Sequence, residues 1–148
     1  SKFGPNLAVL GIDVVLGGNE RADSVENALG KVDPSVDFVV IHDAARPCID
    51  ADLIERVFRA AEESGAAIPA IPVNSTVKKS SDGTTVESTV DRNGLYLAQT
   101  PQVFRRELIN ELYANRDKKN VTDESQAEGT TIRPQNEQSA RSCTGERH

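Results

Sequence analysis

Apolar runs alternate with polar segments along much of the chain and predict strands and helices in turn. Residues 38–42 form a short apolar run rich in β-branched side chains, which predicts a buried β-strand. Residues 50–64 place apolar side chains at helical spacing, with Asp50 able to cap the first turn and Gly65 after the last. A strand followed by an amphipathic helix is the repeating unit of an α/β fold.

The segment before this unit repeats the pattern. Residues 12–16 are mostly apolar and predict a strand that ends at Gly17 and Gly18. The next helix is predicted to begin near Asp23 or Ser24 and to stop at Gly30. A glycine turn before a helix N-terminus can present backbone N–H groups to a ligand, although it can also be an ordinary connection.

The segment after the central helix predicts two more strands and a helix. Residues 66–73 are apolar but contain Pro69 and Pro72, so this strand should be irregular or turn its proline nitrogens away from a partner. Residues 95–100 predict a strand and residues 105–115 an amphipathic helix. We therefore expect an α/β body of mostly parallel strands with helices on its faces.

Residues 74–94 differ from the rest because they are largely polar. Two short β-prone segments flank a turn signalled by Asp82 and Gly83, which predicts a hairpin. An isolated hairpin of this polarity buries too little surface to be stable. It is either an arm that packs on a partner or a flexible surface loop.

The pattern ends at residue 125. Residues 125–148 contain one large aliphatic side chain, Ile132, and show no periodicity. Such a stretch cannot offset the entropy of ordering itself. We expect one domain over residues 1–124 and a divergent, disordered tail over residues 125–148.

The candidate chemistry lies where the strand at residues 38–42 ends. Asp43, Ala44 and Arg46 follow it directly, and Pro47 closes the turn. Open α/β sheets bind ligands at the carboxyl ends of their strands. The alternative is that Asp43 and Arg46 pair with each other and only order a turn.

Composition narrows the classes of function. The 148-residue chain has a net charge of −6 and no cluster of basic residues, which argues against general nucleic-acid binding. It has no apolar run long enough to span a membrane and no pattern of a secretory signal, so we expect a cytoplasmic protein without membrane association. Cys48 and Cys143 lack metal-ligand spacing, which disfavours a zinc site.

Five blocks, in order, resemble the 2-C-methyl-D-erythritol 4-phosphate cytidylyltransferase family of the non-mevalonate isoprenoid pathway. They are GGNERADSV at residues 17–25, HDAARP at 42–47, TVDRNGL at 89–95, QTPQ at 99–102 and TDE at 122–124. The ribitol-phosphate cytidylyltransferases share the glycine pair and the Thr-Pro-Gln block but usually differ at HDAARP and VDRNGL. The resemblance covers roughly residues 14–124, and it implies a partial Rossmann-like, doubly wound sheet of the nucleotidyltransferase type.

The implied reaction is attack of 2-C-methyl-D-erythritol 4-phosphate on the α-phosphate of CTP, with release of pyrophosphate. Such transfers require positioning and charge neutralisation rather than a protein nucleophile. Mg²⁺ or another divalent cation fits, because it takes one or two carboxylates together with phosphate oxygens and water. Asp43 would be the metal ligand and a catalytic residue, with Ala44 beside it, and Arg46 would contact the phosphates or order the loop.

The resemblance also assigns roles to the glycine turn. Gly18, Asn19 and Ser24 match the wall that recognises cytosine. Family members often have Asp at the position of Asn19, which matters little if the contact is made by the backbone.

The resemblance makes residues 74–94 a dimerisation arm. Arg92 and Thr76 would reach from one subunit into the neighbouring site of a homodimer to hold the methylerythritol phosphate, for which a guanidinium is well suited. Thr100 and Thr122 match further positions lining that pocket. Without the resemblance each threonine could equally be a turn or cap residue.

One departure from the family lies at the front of the chain. The family begins with a glycine-rich loop that carries an Arg and is followed by a Lys, and no lysine of this chain lies in such a loop. We therefore expect the isolated chain to be inactive. The alternatives are a ribitol 5-phosphate cytidylyltransferase and a noncatalytic fragment that dimerises or binds a nucleotide.

Overall fold

A computed structural model of the chain describes residues 4–116 and 130–134. Its helices are α1 (Gly4–Val9), α2 (Arg21–Leu29), α3 (Ala51–Ser64) and α4 (Arg106–Ala114). Its strands are β1 (Phe38–Ile41), β2 (Ala66–Pro72), β3 (Val77–Lys79), β4 (Ser88–Val90), β5 (Tyr96–Ala98), β6 (Gln102–Arg105) and β7 (Thr131–Pro134).

In the main sheet, β1 pairs with β6, and β6 and β5 pair with successive parts of one edge of β2. β7 pairs with the opposite edge of β2. β6 is antiparallel to both β1 and β2, β5 is antiparallel to β2, and the β2–β7 pair is parallel. The expectation of mostly parallel strands is therefore wrong for the described residues. The chain returns through β5 and β6 in the direction opposite to β2, and β6 inserts between β1 and β2.

The sheet has helices on both faces, which confirms the doubly wound α/β architecture. Phe104 of β6 packs with Ile109 of α4 and with α2, in one buried cluster. Val103, the preceding residue, packs with Val57 of α3 in a second buried cluster. Because successive side chains of a strand point to opposite faces, α2 and α4 cover one face of the sheet and α3 the other.

The ends of α3 agree with the sequence prediction. The carboxylate of Asp50 accepts a hydrogen bond from the Leu53 amide at 2.6 Å, which satisfies a donor that the first turn leaves free. Gly65 ends the helix in the left-handed conformation, with φ of 86°, and its amide donates to the Ala61 carbonyl.

Residues 12–16 do not form the predicted strand. Ile12, Val14 and Leu16 are exposed, and no strand among the described residues pairs with this segment. β1, predicted to be buried, is likewise at an edge of the described sheet, with Val40 42% exposed. A β-prone run becomes a buried strand only when neighbours are present on both sides, and local sequence does not supply them.

The predicted start of α2 was also wrong. The helix begins at Arg21, and the carboxylate of Asp23 accepts the Glu20 amide hydrogen at 3.1 Å from within the first turn. Asp23 is therefore the third residue of the helix, and its side chain bonds back to the residue that precedes the helix instead of being that residue. The helix ends at Leu29 before Gly30, as predicted.

The expectation of a disordered tail is wrong for residues 131–134, because they form β7. Its backbone pairs in register with residues 67–70 of β2, and Arg133 lies 3.7 Å from Glu63 of α3. Pairing with a preformed sheet satisfies the strand backbone without requiring many apolar side chains. The remainder of the predicted tail lies outside the described residues. α1, where the sequence showed little pattern, is a short helix.

The hairpin at residues 74–94 is confirmed. β3 and β4 form a two-stranded antiparallel sheet separate from the main one. At its turn, the carboxylate of Asp82 accepts the amides of Thr84 and Thr85 at 2.8 and 2.6 Å, and Gly83 has φ of 71°. These amide hydrogen bonds hold the pKa of Asp82 well below its usual range.

None of the helices within residues 4–116 is both long and apolar enough to cross a membrane.

Candidate functional site

Asp43 lies between two cations at the end of β1. One carboxylate oxygen is 3.4 Å from Nη2 of Arg21, and the other is 3.4 Å from Nε of Arg46. The Arg46 guanidinium also donates to the side chain of Gln99. The three charged side chains are 36–45% exposed, so the ion pairs add little stability and leave the charges accessible to a ligand.

The glycine turn before α2 is packed closely against the helix start. A Cβ on Gly18 would lie 2.2 Å from Cβ of Asp23, so a larger residue cannot keep this backbone position. The Gly18 amide donates to Oγ of Ser24 at 3.0 Å. This amide, expected to face a ligand, is therefore engaged within the turn.

A groove of about 420 Å³ lies between α2 and β1. Its polar lining comes from Arg21, Ser24, His42 and Asp43, and the rest comes from Ala44, Val32 and apolar side chains of α2 and β1. Its volume is within the range of small-molecule sites. The groove brings Ser24 of α2 together with Asp43 and Ala44, whereas Gly18, Asn19 and Arg46 are not among its lining residues.

Thr100 connects the loop after β1 to the start of β6. Its side chain is nearly buried, its hydroxyl oxygen accepts the Asp43 amide at 3.3 Å, and it lies 3.0 Å from Nδ1 of His42. The hydroxyl therefore has partners within the chain, as expected for a turn residue. Its contact with substrate stays a prediction.

The arm residues lie apart from this group. Arg92 and Thr76 are exposed near the base of the hairpin, where the Arg92 guanidinium donates to the Asn74 carbonyl. Within residues 4–116 and 130–134, no hydrogen bond or ion pair joins either side chain to Asp43. Thr122 lies outside the described residues.

Three side chains that organise this site could not be recognised from the sequence. Arg21, His42 and Gln99 all fall inside the recognised blocks, but none was assigned a role. Arg21 contacts Asp43, which is 22 residues away in sequence. His42 contacts Thr100, 58 residues away, and Gln99 contacts Arg46, 53 residues away. Local spacing cannot reveal such pairs, and their presence in the blocks was the only signal.

The arrangement suits a phosphorylated ligand. Guanidinium groups bind phosphate oxygens, and an accessible carboxylate can hold a hard divalent cation that phosphate and water complete. The described residues contain no group of three or more acidic, His or Cys side chains that could enclose a metal. A cation here would therefore depend on Asp43 and on the ligand.

Helices on both faces of a mixed sheet, with charged side chains at its strand ends, define an α/β protein with a ligand site at the edge of its sheet. A sequence model described as 2-C-methyl-D-erythritol 4-phosphate cytidylyltransferase matches residues 5–134. The chain belongs to this family. The match continues past residue 124, where the sequence analysis had placed its end, and includes β7.

Curated relatives agree with this assignment. The chain is 47% identical over 119 residues to the 2-C-methyl-D-erythritol 4-phosphate cytidylyltransferase of Solibacter usitatus, covering 77% of this chain and 49% of the relative. It is 46% identical over 114 residues to a bifunctional enzyme IspD/IspF of Desulfotalea psychrophila, covering 77% of this chain and 29% of that one. The chain thus spans about half or less of the length of these relatives.

Solved structures share the fold. The 2-C-methyl-D-erythritol 4-phosphate cytidylyltransferase of Thermus thermophilus superposes with a TM-score of 0.72 at 33% identity, covering 84% of this chain and 63% of that one. The enzyme of the same name from Francisella tularensis gives 0.71 at 34% identity, covering 82% and 61%.

Proposed function

We propose that this chain forms part of an enzyme that transfers CMP from CTP to 2-C-methyl-D-erythritol 4-phosphate and releases pyrophosphate. The observation that carries the proposal is the meeting of Arg21, Asp43 and Arg46 beside the groove between α2 and β1. Two cations flanking one carboxylate can hold a triphosphate and neutralise the charge that develops during in-line transfer. The ligand identities come from the names of the relatives.

Mg²⁺, or another divalent cation, is the metal of this proposal. The carboxylate of Asp43 fits it, because its side chain is 36% exposed and both of its ion pairs are loose, at 3.4 Å. Asp43 would hold the cation there, and the cation would supply neutralisation of the phosphate charge. Arg21 and Arg46 would hold the phosphates on either side, and Ser24, which lines the same groove, would contact the cytosine.

The active form in this proposal is a cytoplasmic homodimer joined through the arm. The arm forms its own small sheet, and Val86 and Val90 on it are 60% and 36% exposed. A polar hairpin with exposed apolar side chains needs a surface to pack on. Arg92 and Thr76 would then act in the partner's site, which is consistent with their separation from Asp43 within one chain.

The test is a hybrid enzyme in which residues 5–134 replace the matching segment of the Solibacter usitatus relative. We expect Mg²⁺-dependent pyrophosphate release from CTP and 2-C-methyl-D-erythritol 4-phosphate. Asp43→Asn should lower the rate by a factor on the order of 100, since a metal stabilises the transition state by several kcal/mol. Asp52→Asn, on the exposed face of α3, is the matched control.

Two results would change the proposal. Faster reaction with ribitol 5-phosphate would make the protein a ribitol-phosphate cytidylyltransferase. A folded hybrid that binds CTP but releases no pyrophosphate with either acceptor would make this chain a noncatalytic nucleotide-binding fragment.

A further inference from the structure

His42 connects both ends of the loop that carries Asp43 and Arg46. Its Nε2 lies 2.9 Å from the Arg46 carbonyl oxygen, and its Nδ1 lies 3.0 Å from Oγ1 of Thr100. Thr100 in turn accepts the Asp43 amide at 3.3 Å. The Arg46 amide donates to the Asp43 carbonyl at 2.9 Å, which closes the turn within these contacts.

The partners determine where each hydrogen must be. A carbonyl oxygen can only accept, so Nε2 of His42 carries the ring hydrogen. A neutral imidazole has one N–H, so Nδ1 is an acceptor and receives the hydrogen of the Thr100 hydroxyl. The Thr100 oxygen then accepts the Asp43 amide, and every polar group in the chain of contacts has a partner.

We propose that His42, in its neutral Nε2–H form, is a positioning residue that holds the Asp43–Arg46 turn against Thr100. It anchors the backbone at Asp43, which would hold the cation, and at Arg46, which carries the second guanidinium. The loop is mostly exposed and follows β1 at an edge of the described sheet. Its other restraints include the exposed side-chain contacts of Asp43 with Arg21 and of Arg46 with Gln99. The consequence for catalysis rests on the proposed function, whereas the hydrogen-bond chain does not.

The ¹⁵N spectrum of the histidine rings in the full 148-residue chain tests the assignment directly. The sequence has two histidines, His42 and His148, so a His148→Gln variant leaves only the ring of interest. At pH 8, where a free imidazole is neutral, we expect the Nε2–H tautomer of His42 with a slowly exchanging Nε2 hydrogen. A majority Nδ1–H tautomer, or an Nε2 hydrogen that exchanges as fast as in a free peptide, overturns the proposal.

Amide exchange at the loop tests the two links separately. Thr100→Val removes the hydroxyl at nearly constant volume and should speed exchange of the Asp43 amide about tenfold, the usual scale of one hydrogen bond. Thr100→Ser keeps the hydroxyl and should restore protection. His42→Leu removes the donor to the Arg46 carbonyl oxygen. The loosened turn should speed exchange of the Arg46 amide, which donates to the Asp43 carbonyl, by up to about tenfold. His42→Gln retains a side-chain N–H and should lose less protection.

Equal exchange of the Asp43 amide in the wild-type chain and Thr100→Val also overturns the proposal. If Thr100→Val does not fold, the wild-type ring spectrum decides alone. None of these measurements requires turnover, so a failed transferase assay leaves this inference standing and a failed spectrum leaves the proposed function standing.

Discussion

The guanidinium of Arg21 lies 3.4 Å from the carboxylate of Asp43, and this contact joins the first turn of α2 to the loop after β1. The first turn of α2 and the strand-end loop therefore face the same groove. Neither segment carries enough side chains to make a site alone. The tertiary contact between them produces the arrangement of two cations around one carboxylate.

Arg21→Gln separates ligand binding from stability. Because the ion pair with Asp43 is exposed, its loss should change the free energy of unfolding by less than about 1 kcal/mol. Binding of CTP should weaken about tenfold or more, since a charge-assisted hydrogen bond to phosphate is lost. Urea denaturation of this chain and calorimetric titration of the hybrid enzyme with CTP measure the two quantities.

Arg56→Gln is the matched control for Arg21→Gln. Arg56 pairs with Asp52 on α3 in a similarly exposed ion pair, at 3.2 Å, and does not line the groove between α2 and β1. Its substitution should leave CTP binding unchanged. Equal weakening by both substitutions would mean that Arg21 acts only through the overall charge of the protein.

Gly18→Ala should destabilise the chain because its Cβ would overlap the side chain of Asp23. We expect a cost of about 1–3 kcal/mol in the free energy of unfolding, the usual range for forced overpacking. Gly30→Ala is the control: its nearest neighbour would be 3.6 Å away and its φ is −64°. That substitution should be neutral or stabilise by up to about 1 kcal/mol. The midpoint of urea denaturation reports both, and a neutral Gly18→Ala would contradict the close packing of the turn.

The turn of the arm should lose stability in acid. The folded pKa of Asp82 is lowered by the amides of Thr84 and Thr85, so its contribution to turn stability is complete above the unfolded pKa, near 4. That contribution should disappear as the pH falls from about 4 through the folded pKa. The amide chemical shifts of Thr84 and Thr85 should follow this titration below the usual range of Asp. In Asp82→Asn the titration should vanish, and a normal midpoint in the wild-type chain would contradict the hydrogen bonds seen here.

Mixed dimers test whether the arm acts across subunits. In the hybrid enzyme, Arg92→Ala and Asp43→Asn homodimers should each be nearly inactive. Equal mixing with subunit exchange makes half of the dimers mixed, and one of their two sites has both residues intact. Activity should therefore recover to roughly a quarter of wild type.

Lys78→Ala in the arm supplies the control for this experiment. Lys78 donates to Oγ1 of Thr89 within the hairpin and carries no proposed substrate contact. Lys78→Ala homodimers should remain active without mixing. No recovery on mixing Arg92→Ala with Asp43→Asn, after exchange is verified, would place both residues in the site of one chain.

Features that depend on a few neighbouring residues follow from the local sequence. The spacing of Leu53, Val57 and Ala61, with Asp50 before them and Gly65 after the helix, was enough to define α3. Asp82 and Gly83 were enough to predict the hairpin turn. Helix caps and tight turns are closed by hydrogen bonds within about four residues, so their signals survive in the local sequence.

The pairing of segments that are distant in sequence depends on the tertiary structure. Residues 12–16 look like a strand but have no described partner, whereas residues 131–134 look unstructured and yet form β7 along β2. The direction of β6 and the contacts of Arg21 with Asp43 and of His42 with Thr100 likewise join distant segments. A strand, and a site made of side chains from several segments, exists only where the folded chain brings a partner to it, and no local pattern encodes that partner.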